Sequence, residues 1–258
     1  MTGSDLAAKA ATLRELHRPG DPLLLANVWD VASAKMIEEL GYAAVATSSS
    51  AVAHAFGEKD TDVMPLQVAL GVVERVAKAV SVPVTADLEA GYQLPADELI
   101  RRVLAVGAVG FNLEDSDHHG TGVLVDVEKQ AERIATVKAA AKRAGVDVVI
   151  NARVDTYARH VGDAETQLKE GVRRGRAYLE AGADCVYPIM IQDENAIDAF
   201  VDGVGGAVNV NLRAGTPSLD MLRRLNVARV SMGGGLFRIA LNAARDAAEA
   251  LRAGTLFT

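Results

Sequence analysis

Eight times along this chain a short apolar run gives way to a longer stretch with helical spacing, and few folds accommodate that rhythm. The runs cover residues 23–28, 43–47, 82–86, 109–113, 146–151, 184–189, 207–212 and 227–232. The helical stretches cover 31–40, 66–80, 97–106, 127–144, 165–181, 195–201, 218–225 and 236–252, with one helix at 4–17 leading. Gly41, Gly107, Gly145 and Gly182 stop helices just ahead of strands, where a left-handed residue is wanted. Strand–helix–strand units with right-handed crossovers build parallel sheets. Eight of them in roughly 250 residues is the size of a TIM barrel. A doubly wound open sheet would carry a glycine-rich turn after its first strand. This chain has Asn27-Val-Trp-Asp30 there. With no linker or shift in composition, the reading is a single (β/α)8 barrel domain over 1–258. Aromatics are only 4% of residues, which suits Ala-, Val- and Leu-rich parallel strands covered by helices.

The formal net charge of −7 argues against a nucleic-acid partner, because phosphate binding needs a basic face. Cys185 is the single cysteine, which excludes a disulfide framework and a thiolate zinc site. No apolar stretch approaches the roughly 20 residues of a membrane span, and the first residues lack a basic-then-apolar signal pattern. These features predict a cytoplasmic protein whose partner is a small molecule.

A barrel gathers its strand C-termini on one face, and that face holds the site. The polar residues at those ends include Asn27, Thr47, Ser48, Ser49, Asp87, Glu89, Glu114, Asp115, Arg153, Asp155, Asn209, Asn211 and Arg213. Asp87 and Glu89 are two apart, so strand alternation would point both the same way. Two carboxylates held that close call for a cation or a shared proton. Oxygen donors suit a hard ion such as Mg²⁺. The alternative is that Glu89 is solvated and Asp87 caps the next helix. Glu114 from the adjacent strand, with Arg153 from the next, favours the metal.

The segments Asn27-Val-Trp-Asp-Val-Ala-Ser-Ala34, Thr47-Ser-Ser-Ser50, Gly57-Glu-Lys-Asp60, Ala86-Asp-Leu-Glu-Ala-Gly-Tyr92, Asn112-Leu-Glu-Asp115 and Asn151-Ala-Arg-Val-Asp155 fall in order along the chain. On them the chain resembles the isocitrate lyase/phosphoenolpyruvate mutase family. The resemblance implies a TIM barrel that binds Mg²⁺ and a small 2-oxo-carboxylate, and makes or breaks a C–C or C–P bond beside an enolate. It implies Asp87 as direct metal ligand, with Glu89, Glu114 and Asp60 holding the metal's waters. Thr47, Ser48, Ser49, Asp87, Arg153 and Asn209 are the expected substrate contacts. Arg153 is expected to grip a carboxylate at two points. The resemblance further implies a homotetramer or homodimer that exchanges its last helices.

The departures narrow the chemistry. Family lyases carry Lys-Lys-Cys-Gly-His after the fourth strand; here the loop reads Ser116-Asp-His-His-Gly-Thr-Gly122. Cys185 lies inside a strand and reads as a packed core residue. Pro188-Ile-Met190 stands where relatives place a His or a Glu. Asp60, Arg153 and His118 are therefore the catalytic candidates, with His119 and Lys59 as lesser ones. Gly233-Gly-Gly235 is either a phosphate-binding turn or a tight entry to the last helix. Three functions stay open: an Mg²⁺-dependent C–C lyase acting on a 2-oxo- or 2-hydroxy-dicarboxylate, a C–P enzyme, and a metabolite-binding protein without turnover.

Overall fold

The computed structural model describes residues 2–60, 64–120 and 122–255. After α1 (Gly3–Glu15) come β1 (Leu23–Leu25), β2 (Asn27–Val28), α2 (Val31–Glu39), β3 (Val45–Thr47), α3 (Ser49–Phe56), α4 (Leu66–Ala79), β4 (Val84–Asp87) and α5 (Ala96–Ala105). The chain continues with β5 (Gly110–Glu114), α6 (Val127–Arg143), β6 (Val149–Val154), α7 (Ala164–Glu180), β7 (Cys185–Pro188) and α8 (Glu194–Val204). It finishes with β8 (Asn209–Asn211), α9 (Leu219–Arg224), β9 (Arg229–Ser231) and α10 (Gly235–Ala253).

The strands pair in parallel as two runs, β2-β3-β4-β5-β6-β7 and β8-β9-β1. The first predicted strand is broken at Ala26, so its halves β1 and β2 join one run to the other. A parallel bridge between Val186 and Val208 closes the remaining seam. The result is the expected (β/α)8 barrel, with an apolar layer between sheet and helices that includes Ile37, Val76, Ile100, Ile134, Tyr178 and Phe200.

The stretch between the strand predicted at 43–47 and the helix predicted at 66–80, whose polar and glycine-containing sequence suggests a functional loop, contains α3. The Ser48 hydroxyl caps it by accepting the Ala51 amide at 3.3 Å, and Gly57 ends it at φ 73°. Its sequence, Ser-Ser-Ala-Val-Ala-His-Ala-Phe, has no clear apolar stripe, which hid it.

The N-terminal ends of the strands form a floor plugged by α1. Leu13 is fully buried, and a Cβ on Gly110 would lie 2.8 Å from Leu13 Cδ2 and 3.0 Å from Val149 O, so a larger residue there would crowd both the plug and the neighbouring strand. Charges there are paired. Asp184 accepts from Arg14 Nε at 2.6 Å, from Lys138 at 2.7 Å and from the Ile150 amide at 2.8 Å. Lys138 also meets Asp147 at 2.9 Å.

The barrel interior is polar where many barrels stack Val, Ile and Leu. In-register residues of parallel neighbours share a face, and Asp87, Asn112, Asn151 and Cys185 form one such row. Asn151 donates to Asn112 Oδ1 at 2.8 Å, and Arg229 reaches the same oxygen from the far wall at 3.4 Å. Asn151, Asn209 and Arg229 are buried.

Phe237 anchors α10 by packing edge-on against Trp29 and His54, with ring centroids 5.0 and 5.4 Å away. Beyond it the helix stands off the barrel, with Ile239, Leu241 and Leu251 exposed. Among the described residues no helix is long and apolar enough to cross a membrane.

Candidate active site

Asp87 ends β4 and is clamped from both sides. The Ser49 amide and hydroxyl donate to its Oδ2 at 3.1 and 2.8 Å, and Asn112 donates to its Oδ1 at 3.0 Å. Thr47 Oγ1 accepts the Asp87 amide at 3.0 Å. Thr47 and Ser49 thus position Asp87, where direct substrate contact was expected. Thr47 is buried behind that carboxylate. Ser48 borders the cavity, but its hydroxyl is engaged with Ala51 and with Ser50 at 3.0 Å.

Glu89 reaches the site by a different route from the predicted one. The strand stops at Asp87, and Glu89 sits in the following turn with left-handed backbone, φ 52°. A residue with a Cβ adopts that conformation at a cost, and such strain gathers at functional sites. Gly91 completes the turn at φ 84°, where a Cβ would lie 2.7 Å from Arg133 Nη2. The Glu89 side chain is only 4% exposed, and its Oε1 has no hydrogen-bond partner among the described residues. Burial, then the carboxylates of Glu114, Asp87 and Asp60, push its carboxyl far above the ordinary range.

Glu114 and Asp115 end β5 and part ways. Asp115 turns outward to Arg174 at 2.9 Å and Tyr178 at 2.7 Å, and accepts the Asp155 amide at 2.9 Å. Glu114 faces the mouth, meets Arg153 Nη2 at 2.5 Å and touches His118 Nε2. Burial pushes Glu114 up as well, and the Arg153 guanidinium offsets part of that rise.

Arg153 shows why the predicted two-point grip on substrate needs correcting. Its Nε and Nη2 fork is already closed on Asp155, at 2.7 Å for each bond. Burial alone would raise Asp155, yet Arg153 and the Ser116 hydroxyl hold it below its ordinary value. Nη1 is the donor left without a protein partner among the described residues.

Two cavities meet at Asp60 and Arg153. One, of about 290 Å³, is lined by Ser49, Asp60, Asp87, Arg153, Arg213 and Arg238, with Tyr187, Ile189, Met190 and Asn211. The other, of about 450 Å³, is lined by Asp60, Glu89, Glu114, His118, Arg153 and Arg159. Asn209 belongs to neither; it is buried one layer down, with its Oδ1 bonded by Ser231 at 3.2 Å. Asn211, two residues on, is the one that reaches the wall. His118 borders the second cavity and is absent from the first. The Gly233 amide donates to Asn27 Oδ1 at 2.9 Å, beside that of Met232, and the Gly235 amide donates to Met232 O at 2.8 Å, so neither of these two glycine amides is offered to a phosphate. Cys185 is buried, and burial pushes its thiol up to about 12, which fits a core residue.

The donor set fits a divalent cation. Ligand atoms of Glu89, Glu114 and His118 all lie within 4.8 Å of one another. A buried carboxylate without donors, ringed by other carboxylates, is stable only with a positive charge or a proton between them. Sequence reasoning did not find Arg238, which lies one turn into α10 after the glycines. It also passed over Arg229, whose only signal was a charge inside an apolar strand.

The family profile described as phosphoenolpyruvate phosphomutase matches residues 13–252. An uncharacterised Mycobacterium tuberculosis protein is 30% identical over 94% of this chain and 90% of its own length. The 2-methylisocitrate lyase of Escherichia coli is 27% identical over 92% of this chain and 86% of its own. The phosphonopyruvate hydrolase of Variovorax is 28% identical over 85% and 78%. A crystal structure of phosphonopyruvate hydrolase with oxalate and Mg²⁺ superimposes with a TM-score of 0.83 at 27% identity, covering 96% of this chain and 89% of that one. With the profile spanning the barrel from α1 to α10, and a 2-methylisocitrate lyase and a phosphonopyruvate hydrolase similar over most of their lengths, the chain belongs to the isocitrate lyase/phosphoenolpyruvate mutase family.

Proposed function

We propose that this protein is a divalent-cation-dependent lyase that cleaves a C–C bond in a small 2-oxo- or 2-hydroxy-dicarboxylate through an enolate. The carrying observation is the clamped Asp87 beside a cavity of about 290 Å³ that also holds Arg153, Arg213 and Arg238. That volume admits a ligand of few carbons. Asp87, Glu89 and Glu114, with Asp60 at the junction, would hold Mg²⁺ or a similar ion. The ion, when bound, would draw electron density from the substrate's oxygens.

The chain's own groups supply the rest. Arg153 offers Nη1 to the carboxylate beside the reacting carbon, its plane fixed by Asp155. Arg213 and Arg238 face a second anionic group across the cavity. Ile189 and Met190 line the wall where relatives place a His or a Glu. Tyr187 also lines it, and burial pushes its hydroxyl up to about 12, so it keeps a proton to donate. The apolar positions Ile239, Leu241 and Leu251 support a homodimer or homotetramer in which α10 packs on a second copy.

Melting curves with Mg²⁺ and oxalate, an enolate mimic, test the reading. The pair should raise the melting temperature, and Asp87→Ala should abolish the rise; no rise at millimolar oxalate would overturn it. Product assays on 2-oxo- and 2-hydroxy-dicarboxylates then identify the bond. Release of phosphate from phosphonopyruvate would establish the second reading, a C–P enzyme, which the similarity to phosphonopyruvate hydrolase supports. Oxalate binding without turnover of any compound would establish a metabolite-binding protein.

A further inference from the structure

His118 does not border the smaller cavity, where a catalytic acid or base would meet substrate. It borders the larger one, against Glu114, with its side chain only 12% exposed. Its loop is held in shape. Asp117 accepts the Gly120 and Gly122 amides at 2.6 and 3.1 Å, its own amide donates to Val123 O at 3.2 Å, and Ser116 bridges to Leu124. The ring is therefore presented to the acidic end of the mouth by a built turn.

A second observation points to a ligand at the same place. Glu89 is 4% exposed, its Oε1 is unpartnered, and its backbone is held in the left-handed region to put it there. Metal–ligand bonds of roughly 2.1 Å set neighbouring donors about 3 Å apart. The three ligand atoms, all within 4.8 Å of one another, are small side-chain rotations from that spacing.

We infer that His118 supplies a nitrogen donor to the divalent-cation site, so that the site selects a borderline later first-row ion, such as Co²⁺ or Zn²⁺, over Mg²⁺. The inference rests on the reading that a divalent cation occupies the acidic end of the mouth. Carboxylate and water donors suit Mg²⁺, whereas imidazole favours the later ions of the first row. The nitrogen binds as neutral imidazole through Nε2, with the ring proton on Nδ1. The Ser116-Asp-His-His loop, which replaces the family lyases' cysteine segment, thereby changes the metal's surroundings and leaves the substrate wall untouched.

Calorimetric titration of the purified protein with Mg²⁺, Mn²⁺ and Co²⁺ tests this, together with electron spin-echo spectra of the Mn²⁺ form. Wild type should bind Co²⁺ at least tenfold more tightly than Mg²⁺, and its Mn²⁺ form should show nitrogen modulation. His118→Ala and His118→Gln should each lose the modulation. Each should weaken Co²⁺ about tenfold and Mg²⁺ less than threefold, while His119→Ala changes neither. Melting curves of the metal-free variants establish that they are folded. Ions bound with the same selectivity in wild type and His118→Ala, and no nitrogen modulation, would overturn the inference and leave the metal site standing. No binding of any of the three ions would remove the metal site and the inference together.

Discussion

The two ends of this barrel treat charge in opposite ways. At the floor, Asp184 takes three donors within 2.8 Å and every cation named there has a carboxylate. At the mouth, Glu89 is buried beside Glu114, Asp87 and Asp60, with its Oε1 unpartnered and its backbone strained. Floor charges each meet an opposite charge; the buried carboxylates at the mouth crowd one another, which disfavours their ionised forms. Perturbed carboxylates of that kind mark function more often than architecture.

The comparison can be broken from either side. The largest effect belongs to the floor. Asp184→Ala leaves Arg14, Lys138 and the Ile150 amide short of an acceptor, and should cost about 3–5 kcal/mol in urea unfolding, with oxalate affinity of the folded protein unchanged. A loss of oxalate binding without a loss of stability would erase the distinction. Next comes Arg153→Lys at the mouth, which keeps the charge and loses the fork on Asp155. Turnover should fall about 100-fold while the melting temperature moves little by comparison with Asp184→Ala.

A pH titration probes the floor again. The half-buried His17 bonds Leu13 O through Nδ1 at 2.8 Å, and burial lowers its ring to about 4. Below 6.5 the unfolded chain takes up a proton that the folded ring refuses. Its contribution is therefore complete above pH 6.5 and is lost as pH falls toward 4, by on the order of 2 kcal/mol. His17→Gln should flatten that stretch of the unfolding-versus-pH curve; an unchanged slope would assign it elsewhere. The smallest effect is a gain. Glu89→Gln removes a carboxyl whose ionised form is disfavoured by burial and by its acidic neighbours, and should stabilise the metal-free protein by about 1 kcal/mol. It should also shrink the melting shift produced by divalent ions. Destabilisation instead would mean that Glu89 has a structural partner.

The barrel was legible because strand and helix periods alternate so regularly, and the residues of the mouth followed from the ends of the runs. Depth inside the barrel was not. Alternation puts Asn209 and Asn211 on the same face, but only the sheet stagger makes Asn211 the one that reaches the cavity. Applied to Arg153 and Asp155 the same rule holds, because both lie on or next to β6. For Asp87 and Glu89 the rule fails, because β4 ends between them and a left-handed turn takes over. Arg238 escaped notice because helix periodicity says nothing about which turn of α10 overhangs the barrel.

Asn112, Asn151 and Arg229 carry a chain of amide and guanidinium contacts from Asp87 into the centre of the barrel. An engineer seeking a hardier variant has little freedom along that axis. Replacing those amides with oil-like side chains would improve the packing and untether the aspartate at the top. Gains in heat tolerance should instead come from the jacket between strands and helices, where Ile100, Ile134 and Phe200 sit out of reach of the chemistry.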